Sequence, residues 1–251
     1  MITDVPVKTE LRPLKALWKE AFGDTDAFID SFFETAYSAD RCCCLTEKGQ
    51  LTAALYWLDC ALEGNKIAYI YAVATAREFQ GRGLCRELMR RTHRQLEEKG
   101  YAGAVLVPGS ESLFRMYEKM GYRACSGVRE FSCKAGDVPE KMRQLSTQEY
   151  ARLRRQLLPP GGVIQEGENL PYLAAQASLY GGEGFAVALV TDGKELRCME
   201  LLGDATRAPG IVKALNAQQG HFRVPGQDKP FAMYYSISEA APPDYFGLAF
   251  D

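Results

Sequence analysis

The chain has 251 residues, of which 30 are Lys or Arg and 32 are Asp or Glu, giving a formal net charge of −2. Hydrophobic residues make up 47% and charged residues 25%, the proportions of an ordinary soluble globular protein. Disorder, a collagen-like repeat and a nucleic-acid-coating protein are excluded on these figures, and no apolar run approaches the ~20 residues that span a bilayer.

At this length one large domain or two of roughly 100–150 residues both fit. The start, MITDVPVKTELRP, lacks a basic segment followed by an apolar one, so no secretory leader is expected. Eight cysteines are present, at Cys42, Cys43, Cys44, Cys60, Cys85, Cys125, Cys133 and Cys198. No pair has the C-x-x-C spacing and the only histidines are His93 and His221, so no metal site is expected. Neighbours within Cys42-Cys43-Cys44 point to opposite faces of a strand, which disfavours a local disulfide. Reduced, mostly buried thiols in a cytoplasmic protein are the expectation. Two histidines also argue against a Ser-His-Asp or Cys-His mechanism.

Along the chain, PLKALWKEAF places Leu14, Leu17, Trp18, Ala21 and Phe22 on one helical face, with Gly23 as a stop. Asp24 is the expected cap of a second helix carrying Phe28, Ile29, Phe32, Phe33, Ala36 and Tyr37. RCCCLT and LTAALYWL flank EKGQ, a hairpin signal with Gly49 in the turn. Another turn at Glu63-Gly64-Asn65 leads into the strand IAYIYAV. A glycine-containing loop precedes a helix over 84–99, and GAVLV and SLFRMYEKM read as a strand and a helix closed by Gly121. YRACSGVREFSCK reads as two short strands. Ala135-Gly136-Asp137-Val138-Pro139 is the candidate boundary. Beyond it Ser146 and Glu149 form a capping box ahead of YARLRRQLL, and PYLAAQASLY is helical. Asp192-Gly193 turns a second hairpin, IVKALNA is a helix, and HFRV, FAMYYSI and FGLAF are candidate strands. This order needs a sheet covered by helices.

The stretch Tyr69–Met89 carries the chemistry. A buried strand ends near Val73, a helix begins near Leu84, and Gln80, Gly81, Arg82 and Gly83 lie between. Glycines there let several N–H groups converge on one point, and the helix N-terminus adds unsatisfied donors and a positive dipole end. Such a turn suits a pyrophosphate. The P-loop pattern is absent, and Arg86 stands where a dinucleotide fingerprint needs its third glycine.

What remains is Gln/Arg-x-x-Gly-x-Gly/Ala, read as Gln80, Gly83 and Cys85. Here the sequence resembles the GNAT superfamily of N-acetyltransferases, which hold the pyrophosphate of acetyl-CoA on this turn. Cys85 departs from the pattern. A thiol at a helix N-terminus is open to acidification, but packing is its plainer role. A second segment, Pro108-Gly109-Ser110 through Tyr117-Glu118-Lys119-Met120-Gly121-Tyr122, is similar to the second GNAT motif. Ser110 stands where the family often has Asn, and Tyr117 matches the tyrosine that protonates the departing thiolate.

The resemblance covers about residues 10–135 and implies an α/β (mixed α+β) chain. A GNAT-like central mixed sheet flanked by helices would span 1–136, with a second, smaller and degenerate GNAT-like domain over 137–251. In that half Arg207–Val212 imitates the loop weakly, and Pro209 removes a donor, so no second coenzyme site is expected. The implied activity is transfer of acetyl from acetyl-CoA to a primary amine of a small molecule or peptide, without a metal. The implied coenzyme contacts are Val73, Thr75, Gln80, Gly81, Arg82, Gly83, Leu84, Cys85 and Ser110, with Tyr117 catalytic. Glu111 and Asp59 are remote candidates for the base, and the carboxylate at the end of Tyr245–Asp251 is a further one. A catalytically silent acetyl-CoA sensor is the alternative.

Overall fold

A computed structural model describes residues 2–3 and 11–250. Two helices open the described chain. α1 (Leu11–Phe22) buries Leu14, Leu17 and Trp18, and α2 (Asp26–Thr35) buries Ile29, Phe32 and Phe33. Gly23, at φ 75°, ends α1. The cap of α2 is Thr25, whose hydroxyl accepts from the Phe28 amide at 3.2 Å. Asp24, the expected cap, instead accepts from the Trp18 indole at 2.8 Å. Cap and carboxylate are one residue apart, and the backbone of Thr25 is the extended one a cap requires.

Hairpins build the next part. Lys48-Gly49 (φ 52° and 82°) and Glu63-Gly64 (φ 49° and 83°) are left-handed pairs, the two-residue turn that matches strand twist. They link β2 (Cys42–Glu47), β3 (Gln50–Leu62) and β4 (Asn65–Thr75) antiparallel, with β1 (Ile2–Thr3) against β2. Along β3, Ala54, Tyr56 and Leu58 pack with α1 and α2, whereas Ala53, Leu55 and Trp57 pack on the other face. Burial on both faces explains the near-continuous apolar run. The second face is covered by α3 (Leu84–Glu98) and α4 (Glu111–Glu118), which follow β4 and β5 (Gly103–Leu106).

Arg123–Lys134 is one unbroken strand, β6, rather than the two short ones expected. It is continuous because two partners extend its ladder: β11 (Gln219–Pro225) on one side and β12 (Lys229–Ser236) on the other. The remaining elements are β7 (Met142–Gln144), α5 (Thr147–Leu157) with the expected Ser146–Glu149 capping box, α6 (Asn169–Gln176), β8 (Ser178–Gly182), the hairpin β9 (Phe185–Asp192) and β10 (Glu195–Gly203), and α7 (Ala208–Ala214). FGLAF forms no strand. Tyr245, Phe246, Leu248, Ala249 and Phe250 are buried without joining the sheet.

The sheet order is β1-β2-β3-β4-β5-β12-β6-β11-β10-β9-β8-β7. β12, from the end of the chain, therefore fills the place between β5 and β6. Tyr234 on β12 crosses Gly103 so closely that a Cβ there would lie 2.0 Å from its hydroxyl. All eight cysteines are free: Cys42, Cys43, Cys60 and Cys198 are buried and the other four half-buried. Among the described residues no helix is long and apolar enough to cross a membrane, and no group of three or more potential ligands could hold a metal.

His93 on α3 stacks on Tyr235 at 3.8 Å and shares a 2.9 Å hydrogen bond with the Tyr122 hydroxyl. Burial pushes its pKa down to about 4. The folded chain thus binds this proton less readily than the unfolded one, so the stabilisation is complete above pH ~6.5 and lost as pH falls towards 4. Urea unfolding at pH 5.0 against pH 7.5 should show about 2 kcal/mol of loss from this group. In His93→Gln that part of the slope should disappear; an unchanged slope would contradict the assignment.

Candidate active site

The site begins with a fault in β4. Ala54 pairs with Ala74 but Tyr56 pairs with Tyr71, so Ala72 and Val73 together face one residue of β3. Ala72 takes the left-handed conformation, φ 48°, which costs a non-glycine residue roughly 1–2 kcal/mol. Such a bulge bends its strand and increases its twist. β4 pairs in parallel with β5 only from Ile67–Gly103 to Tyr69–Val105. Past that point the strands part, and the β5-facing edge of β4 has no strand partner.

The gap is the floor of a cleft of about 1350 Å³. At one end, β4 leads through Arg77–Phe79 into Gly81 and Gly83, at φ 73° and 78°. Neither position is crowded, since a Cβ on either would meet nothing within 4 Å. Glycine is required by the backbone conformation alone. In α3 the first amide to reach an intrahelical carbonyl is that of Glu87, bonded to Gly83 O at 3.1 Å. The amides of Leu84, Cys85 and Arg86 are first-turn donors left for a ligand. The Gln80 side chain bonds Thr75 O at 3.2 Å and steadies the turn.

Of the residues expected in the site, Val73, Thr75, Gln80, Gly81, Gly83, Leu84, Cys85, Ser110 and Tyr117 all line this cleft. The Arg82 side chain does not. Its guanidinium pairs with Glu47 at 2.8 Å and lies over Phe79. Arg90 and Arg91 are likewise tied to Glu87. Ser110 caps α4, accepting from Leu113 N at 3.3 Å, and its hydroxyl is 2.9 Å from that of Ser112. Burial raises the Cys85 thiol above its usual pKa, which fits a packing role.

Tyr117 lines the cleft from α4. Burial, and then the nearby Cys85, push its phenol well above the ordinary value. Tyr71 is likewise raised well above the ordinary value, by burial first and then by Tyr172, Tyr69 and Asp24. Both phenols hold their protons at neutral pH, so both are donors rather than bases.

The other end of the cleft is aromatic. Trp18, Phe22 and Phe28 come from α1 and α2, Tyr69 and Tyr71 from β4, and Phe250 from the end of the described chain. Tyr71 donates to Phe250 O at 2.9 Å, and its hydroxyl is 3.0 Å from that of Tyr172. Asp24 stands here too. Sequence reasoning missed Asp24 and Phe231 because only tertiary packing brings them to the cleft, while Phe250 belongs to the chain-end segment already expected there. Glu111 sits at the cleft mouth, exposed and paired with Arg115 at 2.6 Å. Asp59 lies outside the lining, bound by Tyr101 and by Lys66 at 3.2 Å. Asp251 and its carboxylate are outside the described residues. The second-half imitation of the glycine turn is covered by its own chain, with Gly136 N bonding Pro209 O and Glu140 N bonding Gly210 O, both at 2.9 Å.

A bulged strand that parts from its parallel neighbour, with a glycine turn delivering helix amides to the gap, makes a cleft whose one end suits an anion. The acetyltransferase (GNAT) domain profile matches residues 6–125, just under half of the chain, and the chain has the GNAT fold. The fold is similar to that of a GCN5-related N-acetyltransferase from Kribbella flavida, with TM-score 0.70 and 18% identity over 93% of this chain and 70% of that one. It is also similar to one from Anabaena variabilis, with TM-score 0.70 and 14% identity over 95% and 73% of the two chains. No curated protein matches the chain.

Proposed function

We propose that the chain transfers an acetyl group from acetyl-CoA to a primary amine of a small molecule or peptide. The observation that carries this reading is the set of amides at the start of α3 that have no partner among the described residues, opened to the cleft by two left-handed glycines. A diphosphate is the group that such a terminus accommodates without a metal. Gly81, Gly83, Leu84 and Cys85 would hold it through their backbone, Arg82 by its amide alone. Val73 and Thr75, on the open edge of β4, would hydrogen-bond the amide-bearing arm, and Ser110 would border it from α4. Acetyl-CoA supplies an activated acetyl group and a thiolate leaving group.

Within the cleft, the edge of β4 at Val73 offers a backbone donor where negative charge grows on the acyl oxygen. Tyr117 keeps its proton because it is buried, and so can give it to sulfur as the C–S bond breaks. Its own acidity is low, so transfer depends on the thiolate being expelled into the same water-poor wall, where that anion is also costly. Residues 1–136 would bind coenzyme and carry the chemistry. Residues 137–251, the degenerate half, would contribute β12 and the segment ending at Phe250.

Tyr117→Phe is the test. It removes a hydroxyl and keeps the packing, so acetyl-CoA affinity should stay within about threefold while kcat falls by about 100-fold, the scale of general acid catalysis. An unchanged kcat would remove Tyr117 from the chemistry. Coenzyme binding with no turnover across a panel of amines would favour a silent sensor instead.

A further inference from the structure

The aromatic end of the cleft holds a carboxylate that the fold positions but does not neutralise. Asp24 lies between a helix ended by Gly23, whose amide bonds Lys19 O at 2.9 Å, and a helix begun by the Thr25 cap. Its Oδ2 accepts the Trp18 indole at 2.8 Å, which fixes the side-chain rotamer. Oδ1 accepts no hydrogen bond among the described residues. The other acids nearby are treated differently: Asp26 and Asp30 are paired with Lys19 and Lys15 at 2.8 and 2.6 Å. Asp24 forms no ion pair among the described residues, yet its charge is felt by the phenols of Tyr71 and Tyr172.

An unpaired carboxylate beside aromatic rings is a recognisable binding chemistry. Rings attract a cation through their faces, and a carboxylate makes strong charge-assisted hydrogen bonds to N–H donors. An anion entering the same place would meet Asp24 and lose its water for no partner. The cationic side chains that line the cleft do not offset this. Arg115 is paired with Glu111 at 2.6 Å, and Lys229 and Arg223, on β12 and β11, share Glu130 at 2.8 and 3.2 Å.

We propose that Asp24 binds the ammonium group of the acceptor, and that the acceptor is an amine with an apolar or aromatic body and no carboxylate beside its amino group. This rests on the acyltransferase reading above and names the substrate class of that same site. Asp24 acts here in docking, so its loss should appear in KM far more than in kcat.

The test compares 2-phenylethylamine with phenylalanine, which adds only a carboxylate. Calorimetry first measures acetyl-CoA on the wild type and on Asp24→Asn, then each probe on the CoA-saturated proteins. Asn can still accept the Trp18 indole, and an unchanged near-ultraviolet spectrum verifies the fold. The expected result is at least tenfold tighter binding of 2-phenylethylamine than of phenylalanine. In Asp24→Asn the amine should bind ten- to a hundredfold more weakly, with coenzyme affinity within twofold; where acetylation is measured, KM should rise by the same factor. Equal binding of the two probes, no binding of the amine to the wild type, or an Asp24→Asn affinity equal to wild type overturns the assignment and leaves the coenzyme reading intact. Absence of coenzyme binding overturns that reading itself.

Discussion

Replacing Glu200 by alanine is expected to lower the free energy of unfolding by about 3–5 kcal/mol, the cost of breaking a buried ion pair from one side. Glu200 is 0% exposed and meets Arg154 through two bonds, Nε–Oε2 at 2.6 Å and Nη2–Oε1 at 3.0 Å. Tyr245 donates to the same carboxylate at 3.0 Å and Tyr150 at 3.5 Å. Arg154 spends its other donors on Val163 O and Gln165 Oε1. Burial opposes the guanidinium charge, but Glu200 outweighs it, and the pKa of Arg154 ends above its usual value. Without Glu200 that charge remains buried and unmatched. Arg154→Met with Glu200→Leu removes both charges and should cost far less than either partner alone. Urea midpoints of the three proteins check this; a loss under 1 kcal/mol in Glu200→Ala would show that water or another group replaces the carboxylate. The network also reaches the site. Gln165 donates to Leu248 O at 2.7 Å, so the cluster that holds Tyr245 and Leu248 also fixes Phe250 at the acceptor end.

Gly83→Val is expected to weaken acetyl-CoA binding by at least 100-fold. Space is no obstacle to the side chain, since nothing lies within 4 Å of the Cβ position. The obstacle is φ of 78°, which a β-branched residue resists. Relief comes by rotating the backbone, which turns away the amides that the ligand needs. Asn tolerates the left-handed region, so Gly83→Asn should retain affinity within about tenfold. If the two variants bind coenzyme equally well, or equally poorly, backbone conformation is not what forms the cradle.

The sequence was most informative where the structural cause is local. Lys48-Gly49, Glu63-Gly64 and Asp192-Gly193 announce their turns, the Ser146–Glu149 box announces α5, and Gln80–Gly83 between a strand and a helix announces the glycine turn at one end of the cleft. It was least informative where a partner is chosen across the fold. Nothing near Lys229 shows that β12 will lie between β5 and β6, nor that this will draw Arg123–Lys134 into one strand. The apolar run at Tyr245–Phe250 looks like a strand, because burial and strand pairing leave the same local mark. Asp24 reads as a cap in the sequence, a role that Thr25 fills; its place in the cleft goes with its bond to Trp18, six positions earlier on α1. The glycine turn and a chain-end segment at the cleft could therefore be read from sequence, whereas the places of Asp24 and Phe231 in it could not.

The most direct measurement is a titration of uniformly ¹⁵N-labelled protein with acetyl-CoA, following backbone amides by nuclear magnetic resonance. The amides of Gly81 to Arg86 should shift strongly and saturate together, and inorganic pyrophosphate alone should move the same set. Saturable binding that leaves those amides in place, or no binding at millimolar coenzyme, would contradict the account.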